Sequence, residues 1–218
     1  MKSKIILSFF ICCAICIGFT KQNRSNSRAY FEGKISYKAE FTRKTTKYDS
    51  SLLSMAIGKY SNYFFKQGNF LIKSYNAISY MTLYRMEDNK MYTQKVWSDS
   101  IFYVDCSKPG FKILNFTLTP KKETILGITC DELKVFFENK IITNYFNSDT
   151  LKQDPTWHQK YTFYNEDFIS QKTKSISLKF IIDKPDYKVT YTATSITPKQ
   201  LNDSIFLVPK NKILVNDE

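Results

Sequence analysis

The chain has 218 residues, of which 43% are hydrophobic and 16% aromatic, and its formal net charge is +12 at pH 7. A chain of this length forms one domain and can bury a full hydrophobic core without disulfides or metals to hold it together. The high aromatic content favours strands. The single histidine excludes any metal site that needs two histidines.

The chain begins with a segment that is typical of export. Lys2 and Lys4 precede a nearly uninterrupted apolar run, Ile5–Phe19, and Lys21 ends that run. A basic start, a short apolar run and a small-residue exit are typical of a secretory signal peptide. A membrane-spanning helix needs about 20 apolar residues. We therefore predict that residues 1–18 are a signal peptide, with an uncleaved anchor as the alternative.

Three of the five cysteines lie in this leader, and one of them is a candidate for lipidation. Bacterial lipoprotein signals place Leu, then Ala or Ser, then Gly or Ala before the cysteine that takes the lipid. Here Cys13, Ala14 and Ile15 precede Cys16, and Ala14 matches that pattern well. Acyl chains on Cys16 would tether the protein to a membrane. The alternative is that Cys12, Cys13 and Cys16 are small apolar fillers of the leader.

Both alternatives place the protein in the periplasm or the outer envelope, where disulfides form. Cys106 and Cys130 are the two cysteines outside the leader, and an even pair in an oxidising compartment is a disulfide candidate. Closing a loop of about 25 residues would contribute roughly 3 kcal/mol to stability in the chain-entropy model. The alternative is two buried free thiols that behave as small hydrophobic side chains.

Residues 21–29 are polar and lack periodicity, and we predict a flexible linker over residues 19–29. Residues 30–218 are predicted to form a single β-rich domain. Apolar and polar residues alternate strictly over residues 31–42, which predicts a strand with one buried face. Asp49 is a candidate N-cap and Gly58 a candidate stop for a helix of about two turns. The apolar residues of this helix predict that it lies against the sheet.

The remainder of the chain has the pattern of a meander of about ten strands. Short Gly-, Asn- and Asp-containing turns separate the apolar stretches, and Gly127 is predicted to mark a bend or bulge. Residues 147–170 are the longest irregular stretch and are predicted to form a loop or lid. The predicted strands after the first are residues 59–66, 70–76, 79–86, 91–97, 100–106, 111–119, 123–137, 141–146, 175–182, 188–196 and 204–209.

The positive charge indicates a solvated basic face rather than a nucleic-acid interface. Lysine supplies most of it, and arginine, which makes bidentate and stacking contacts, is scarce. No nucleic-acid-binding motif accompanies the charge, so no nucleic-acid partner is predicted. The four arginines are Arg24, Arg28, Arg43 and Arg85.

No constellation of residues predicts catalysis. The sequence outside the leader contains no nucleophile elbow, phosphate-binding loop, zinc-protease helix or Cys-x-x-Cys motif. His158 lies beside Trp157 in the irregular stretch, where a lone histidine is more often a surface or packing residue than a catalytic one. We therefore predict a protein that is not an enzyme and has no cofactor and no metal site.

The chain carries more apolar side chains than one thin sheet and one short helix need. A sheet that curls around a hydrophobic cavity would use them, and a well-filled sandwich core is the alternative. The predicted lining of such a cavity consists of Phe64, Phe70, Ile72, Tyr80, Leu83, Met91, Tyr92, Phe102 and Val135.

The order of short motifs resembles a known group of families over roughly residues 30–210. These motifs are FEGKISY (31–37), YFFKQGNF (63–70), ETILGITCDELKV (123–135) and DSIFLVP (203–209). They resemble the DUF4412 and GLPGLI-type secreted bacterial proteins, which are similar in turn to the periplasmic lipoprotein-carrier (LolA-like) superfamily.

This resemblance implies a mainly β (α+β) fold, in which a strongly curved antiparallel sheet of about ten strands forms a half-open barrel with one or two short covering helices. It also implies an envelope protein that binds a hydrophobic or lipid-like ligand or an envelope protein partner, and that meets the membrane only through its leader or a lipid anchor. The alternative is a structural or surface-interaction β-domain with a packed core, whose basic exterior meets anionic polymer.

Overall fold

A computed structural model describes residues 30–217, so the predicted signal peptide, the linker at 19–29 and Cys16 lie outside the described residues. The predicted fold class is confirmed: twelve strands, rather than about ten, form one curved, unclosed and almost entirely antiparallel sheet. The strands are β1 (Gly33–Arg43), β2 (Tyr60–Lys66), β3 (Asn69–Ser74), β4 (Ser79–Arg85), β5 (Lys90–Lys95), β6 (Ile101–Asp105), β7 (Ile113–Ile125), β8 (Ile128–Phe137), β9 (Ile141–Phe146), β10 (Ser177–Asp183), β11 (Tyr187–Pro198) and β12 (Leu214–Asn216).

The spatial order of the strands brings the two halves of the chain together at the centre of the sheet. The order is β12-β6-β5-β4-β3-β2-β1-β11-β10-β9-β8-β7. Strand β1 pairs with β2 on one side and with β11 on the other, and β12 pairs with β6 in parallel. The sheet edges are therefore β12 and β7.

One face of the sheet is the inner, concave face, because a single short segment touches both halves of it. The Tyr161 ring stacks on Tyr84 of β4 at 4.5 Å, and Ile169 packs with Leu133 and Val135 of β8. Seven strand-to-strand steps separate β4 from β8, which is about 34 Å along a flat sheet. Yet the Asp167 N–H donates to the Tyr161 carbonyl at 2.9 Å, so the segment itself is folded back. The sheet must curl around it.

This folded-back stretch, residues 151–173, is here called the crossing segment. It contains a 3-10 helix, Pro155–His158, and an α-helix that the sequence did not predict, α2 (Glu166–Thr173). It corresponds to most of the stretch predicted as a loop or lid. It occupies the end of the inner face where β1 begins and β2 ends.

The C-terminal stretch, residues 199–209, covers the outer face of the half of the sheet that contains β3, β4, β5 and β6. Leu201 and Phe206 pack on Leu71 and Leu83. Residues 203–206, part of a predicted strand, form a 3-10 helix instead. The polar contacts of Leu201, whose N–H donates to Glu32 and whose carbonyl accepts from Lys66, anchor this stretch.

The predicted first helix exists and contacts β1, but it is less buried than predicted. Helix α1 (Ser50–Ile57) begins at Asp49, whose carboxylate accepts from the N–H groups of Ser51 and Leu52 as an N-cap does. None of its residues is buried, and Leu52 and Met55 are 65% and 57% exposed. The apolar composition indicated burial, but Leu53, Ala56 and Ile57 are only half-buried.

Candidate ligand-binding surface

Beyond the crossing segment, the inner face carries an apolar surface that is only half-buried. Direct pairing across the ladders places these side chains on the same face as Tyr37. We call this set the inner surface; it consists of Phe41, Tyr63, Ile72, Ile142, Phe180, Ile182 and Tyr191.

Aromatic rings form the centre of the inner surface. The Phe180 ring stacks on Tyr191 with centroids 4.4 Å apart, and the Tyr63 ring meets the buried Tyr37 edge-on at 4.7 Å. Burial raises the pKa of the Tyr63 and Tyr191 phenols above the ordinary value. Removal from water disfavours the charged form of each phenol.

Two polar groups on this face lack hydrogen-bond partners within the described residues. The Asn144 side chain, 6% exposed, accepts from the Ser177 hydroxyl through its oxygen, but its amide nitrogen donates to nothing. The Ser61 hydroxyl is also buried and unpartnered. Buried polar groups are normally satisfied, so these two groups are exceptions on the inner face.

The crossing segment closes one end of the inner face through close packing. Tyr161 stacks on Tyr84 and also approaches Phe70 and the Met91 thioether. A Cβ added at Gly68, in the β2–β3 turn, would lie 2.7 Å from the Trp157 Cβ. The segment therefore approaches this turn so closely that only glycine fits at position 68.

His158 has a packing role in the crossing segment. It is 4% exposed, its Nε2 lies 2.9 Å from the Gly68 carbonyl, and its Nδ1 has no partner in the described part of the chain. Burial lowers the pKa of the imidazole to about 4. The ring is thus neutral at physiological pH and donates one hydrogen bond.

Two lysines stand at the other end of the inner face. Lys140 lies in the β8–β9 turn and Lys184 in the β10–β11 turn. Each is the next residue outward from the last residue pair of the two strands, Ile141 and Asp183. Burial and, to a smaller extent, the positive charge of Lys184 together lower the pKa of Lys140 to about 8. The two ammonium groups therefore repel each other at the rim of an apolar surface.

The structure divides the nine predicted lining residues between the two faces. The prediction is wrong for Phe64, Leu83 and Tyr92, which point to the outer face under the C-terminal stretch. Met91 and Tyr92 are consecutive in one strand, so they could not both line one face.

Six of the nine lie on the inner face, but only part of that group is uncovered. Phe70 and Met91 lie under Tyr161, and Val135 lies under Ile169. Those that remain beyond the crossing segment are Ile72, Tyr80 at the rim, and Phe102 under the Lys95 ammonium. The sequence reasoning missed Tyr63, Phe180 and Tyr191, although the alternation of their strands would have identified them as partners on one face.

The predicted disulfide is corrected: Cys106 and Cys130 are both buried free thiols. Cys106, just after the end of β6, packs with Tyr84 and Tyr161, whereas Cys130 of β8 packs with Tyr145 of β9. Nine strand-to-strand steps separate β6 from β8 in the sheet. Burial raises the pKa of Cys106 to about 12 and that of Cys130 to about 11. Both thiols behave as the small hydrophobic side chains of the alternative interpretation.

A separate groove lies beside α1, outside the inner surface. Its volume is about 410 Å³, and it contains both the exposed Met55 and the exposed Tyr75. It is lined by Ser54, Met55, Gly58, Lys59, Tyr60, Tyr75, Asn76 and Ala77.

Within residues 30–217, no cluster of three or more histidine, cysteine, aspartate or glutamate side chains could hold a metal ion. Across the same residues, no helix has the length and apolarity needed to cross a membrane.

Comparisons with known proteins give only distant similarities. No protein-family model matches the sequence, and no curated protein matches it. PNGF-II, solved in two space groups, is 14% and 15% identical with a TM-score of 0.47 in each; in the first the match covers 85% of this chain and 31% of that one. The chain thus spans about a third of the length of PNGF-II.

Two mycobacterial structures match more weakly. The Mycobacterium tuberculosis lipoprotein LppX is 9% identical with a TM-score of 0.36, and LprF from Mycobacterium bovis is 10% identical with a TM-score of 0.33. Each match covers 78% of this chain and 89% of the other. Similarity at this level does not establish a shared function, and the resemblance to the DUF4412 and GLPGLI-type families stays a prediction.

Proposed function

We propose that this protein is an exported, non-enzymatic binder of a hydrophobic or lipid-like ligand, which it holds on the inner surface of its curved sheet. The observation that carries the proposal is the inner surface itself, a continuous set of half-buried aromatic and aliphatic side chains on a concave face. Exposed apolar patches on soluble proteins usually mark binding sites, and a concave apolar surface with few polar groups suits a hydrophobic ligand.

Two polar groups lie on the same face as these apolar side chains. The Asn144 amide nitrogen and the Ser61 hydroxyl have no hydrogen-bond partner within the described residues, and an unsatisfied buried group costs about 1–3 kcal/mol. The inner face thus combines apolar contact area with a few polar groups.

Binding of a neutral fluorescent probe, N-phenyl-1-naphthylamine, to the exported protein tests the proposal. We expect fluorescence enhancement with the wild-type protein and with Thr192→Glu, which points to the outer face beside Lys38 and Lys179. For Tyr191→Glu, on the inner face, we expect an affinity at least about tenfold lower, because an unpaired carboxylate in an apolar site costs more than 1.4 kcal/mol.

The two variants are a matched pair, because positions 191 and 192 are consecutive and place the new carboxylate on opposite faces of the sheet. Circular dichroism checks that each variant folds; if Tyr191→Glu does not fold, Ile72→Gln on the inner face and Lys73→Gln on the outer face replace the pair. Absence of any probe binding by the wild-type protein would overturn the proposal. Equal affinities for the two members of a pair would overturn the placement of the ligand.

A second candidate is the interaction domain with a packed core and a basic exterior. The crossing segment fills one end of the inner face with Tyr161 and Ile169, and the net charge of +12 attracts polyanions. Binding to a sulfated polysaccharide that weakens steeply with added salt, together with no binding of the neutral probe, would favour this candidate.

A further inference from the structure

The register of two strands places Lys140 and Lys184 opposite each other at the rim of the inner face. Ile142 of β9 pairs with Ile182 of β10 on the inner face, and Ile141 pairs with Asp183 one position further out. Because side chains alternate between faces, the next residues outward, Lys140 and Lys184, lie on the same side as the two isoleucines.

Contacts with aromatic rings confirm this side. The Lys140 ammonium lies 3.1 Å from the centroid of Phe111 and 5.1 Å from that of Phe137, whose side chain belongs to the inner face. The Lys184 ammonium lies 5.4 Å from the centroid of Tyr187, which contacts Phe41 of the inner surface.

Neither ammonium has an ion-pair partner among residues 30–217. The two carboxylates of the neighbouring β10–β11 turn are taken by other lysines: Asp183 pairs with Lys44, and Asp186 pairs with Lys47 at 3.2 Å. Within residues 30–217, two half-buried cations therefore lie at the same rim with no carboxylate paired to either of them. An anion at this point would relieve their mutual repulsion and gain charge-assisted hydrogen bonds.

We propose that Lys140 and Lys184 bind the anionic head group, a carboxylate or a phosphate, of an amphipathic ligand whose hydrocarbon chain lies on the inner surface. This inference rests on the proposed function and names the ligand class for the same site. The chain would run from the two lysines over Ile142 and Ile182 to Phe180. The hydrocarbon chain replaces water on the inner surface, and the head group of the ligand stays at the solvent-accessible rim.

Displacement of N-phenyl-1-naphthylamine by three ligands with the same twelve-carbon chain tests the inference. They are dodecanoate, dodecyl phosphate and the neutral 1-dodecanol, each used below its aggregation concentration at neutral pH. We expect at least one anionic ligand to bind about tenfold more tightly than dodecanol, as two charge-assisted contacts at a half-exposed site allow.

The double variant Lys140→Met/Lys184→Met should reduce this preference to less than about threefold while it leaves dodecanol binding unchanged. The matched control is Lys122→Met/Lys160→Met, which removes the same charge from two exposed positions away from the rim. The control should keep the wild-type preference. Equal losses in the two double variants would show a long-range effect of net charge and would overturn the head-group site.

The outcomes separate this inference from the function on which it rests. If neither dodecanol nor the anionic ligands displace the probe, the inner surface is not a ligand site and both fall. If dodecanol binds as tightly as the anionic ligands, the ligand-binding function stands and the head-group site is overturned. A preference for dodecanoate would indicate a fatty acid, and a preference for dodecyl phosphate would indicate a phospholipid head group; either result supports the site.

Discussion

At the residue scale, burial decides the chemistry of the titratable side chains. The sequence presents one histidine and two cysteines that are candidates for catalysis or cross-linking. The structure buries all three among aromatic rings, where charged forms are disfavoured. Their shifted pKa values are consequences of packing, and none of them lies on the inner surface.

His158 should make the stability of the protein depend on pH in acid. The unfolded histidine has an ordinary pKa of 6.5 and the folded one a pKa of about 4, so the unfolded state binds more protons between these values. The contribution of His158 to the free energy of unfolding is complete above pH 6.5 and is lost as the pH falls towards 4. It amounts to about 3 kcal/mol.

Urea unfolding of the wild-type protein and of His158→Gln measures this effect, since glutamine keeps a donor for the Gly68 carbonyl but does not titrate. As the pH is lowered from 7 to 4, we expect the free energy of unfolding of the variant to rise by about 3 kcal/mol relative to that of the wild type. Because the chain has one histidine, carboxylate titrations cancel in the comparison. Parallel stability curves for the two proteins would contradict the assignment.

At the element scale, the crossing segment determines the shape of the inner face. It carries few strand or helix signals in sequence, and α2 has an asparagine with positive φ, Asn165, at its start. A Cβ at Gly110 would lie 2.3 Å from the Thr162 carbonyl, which shows how tightly the loop before β7 meets this segment. Tertiary contacts, rather than local propensity, therefore hold the segment in place.

Tyr161→Ala should destabilise the protein by about 3–5 kcal/mol, because the ring packs on Tyr84, Phe70 and Met91 and its loss leaves a cavity. Tyr164→Ala, in the same segment but 44% exposed, is the control and should cost no more than about 1 kcal/mol. Denaturant unfolding measures both. Similar losses for the two variants would mean that the segment does not pack as a unit against the sheet.

At the scale of the whole molecule, a half-open sheet with a positive exterior suits a protein that meets lipids in an envelope. Lysine-rich surfaces attract anionic polymers and lipid head groups, and the proposed ligand would lie on the concave apolar face. The leader prediction concerns residues outside the described part of the chain. Cleavage of the predicted leader, or acylation of Cys16, would change the mass of the protein.

The intact mass of the protein from a bacterial envelope, measured native and then denatured, checks this consequence. We expect a denatured mass that corresponds to residues 19–218, or to a chain that begins at Cys16 with acyl groups. We expect a larger native mass, with the excess lost on denaturation as the ligand is released. A denatured mass equal to all 218 residues would contradict the predicted cleavage.

Much of the fold follows from the sequence, because strand and turn signals are local. Strict alternation predicted β1, the Gln67–Gly68 turn predicted the β2–β3 hairpin, and Asp49 predicted the start of α1. These features depend on residues close in sequence. The candidate site was predicted less well, since three of the nine lining residues lie on the outer face and the aromatic centre was missed.

The sequence by itself determined most of the stretches that are strands, that no catalytic motif is present outside the leader, and that apolar side chains exceed the needs of a thin sheet. Only the tertiary structure decided which face each strand turns inward, where the two thiols lie, and that Lys140 and Lys184 lie at the same rim of the inner face. The physical reason is that alternation repeats every two residues, so a pattern identifies two faces without saying which is concave. That choice depends on the register of distant strands and on the segment around which the sheet curls.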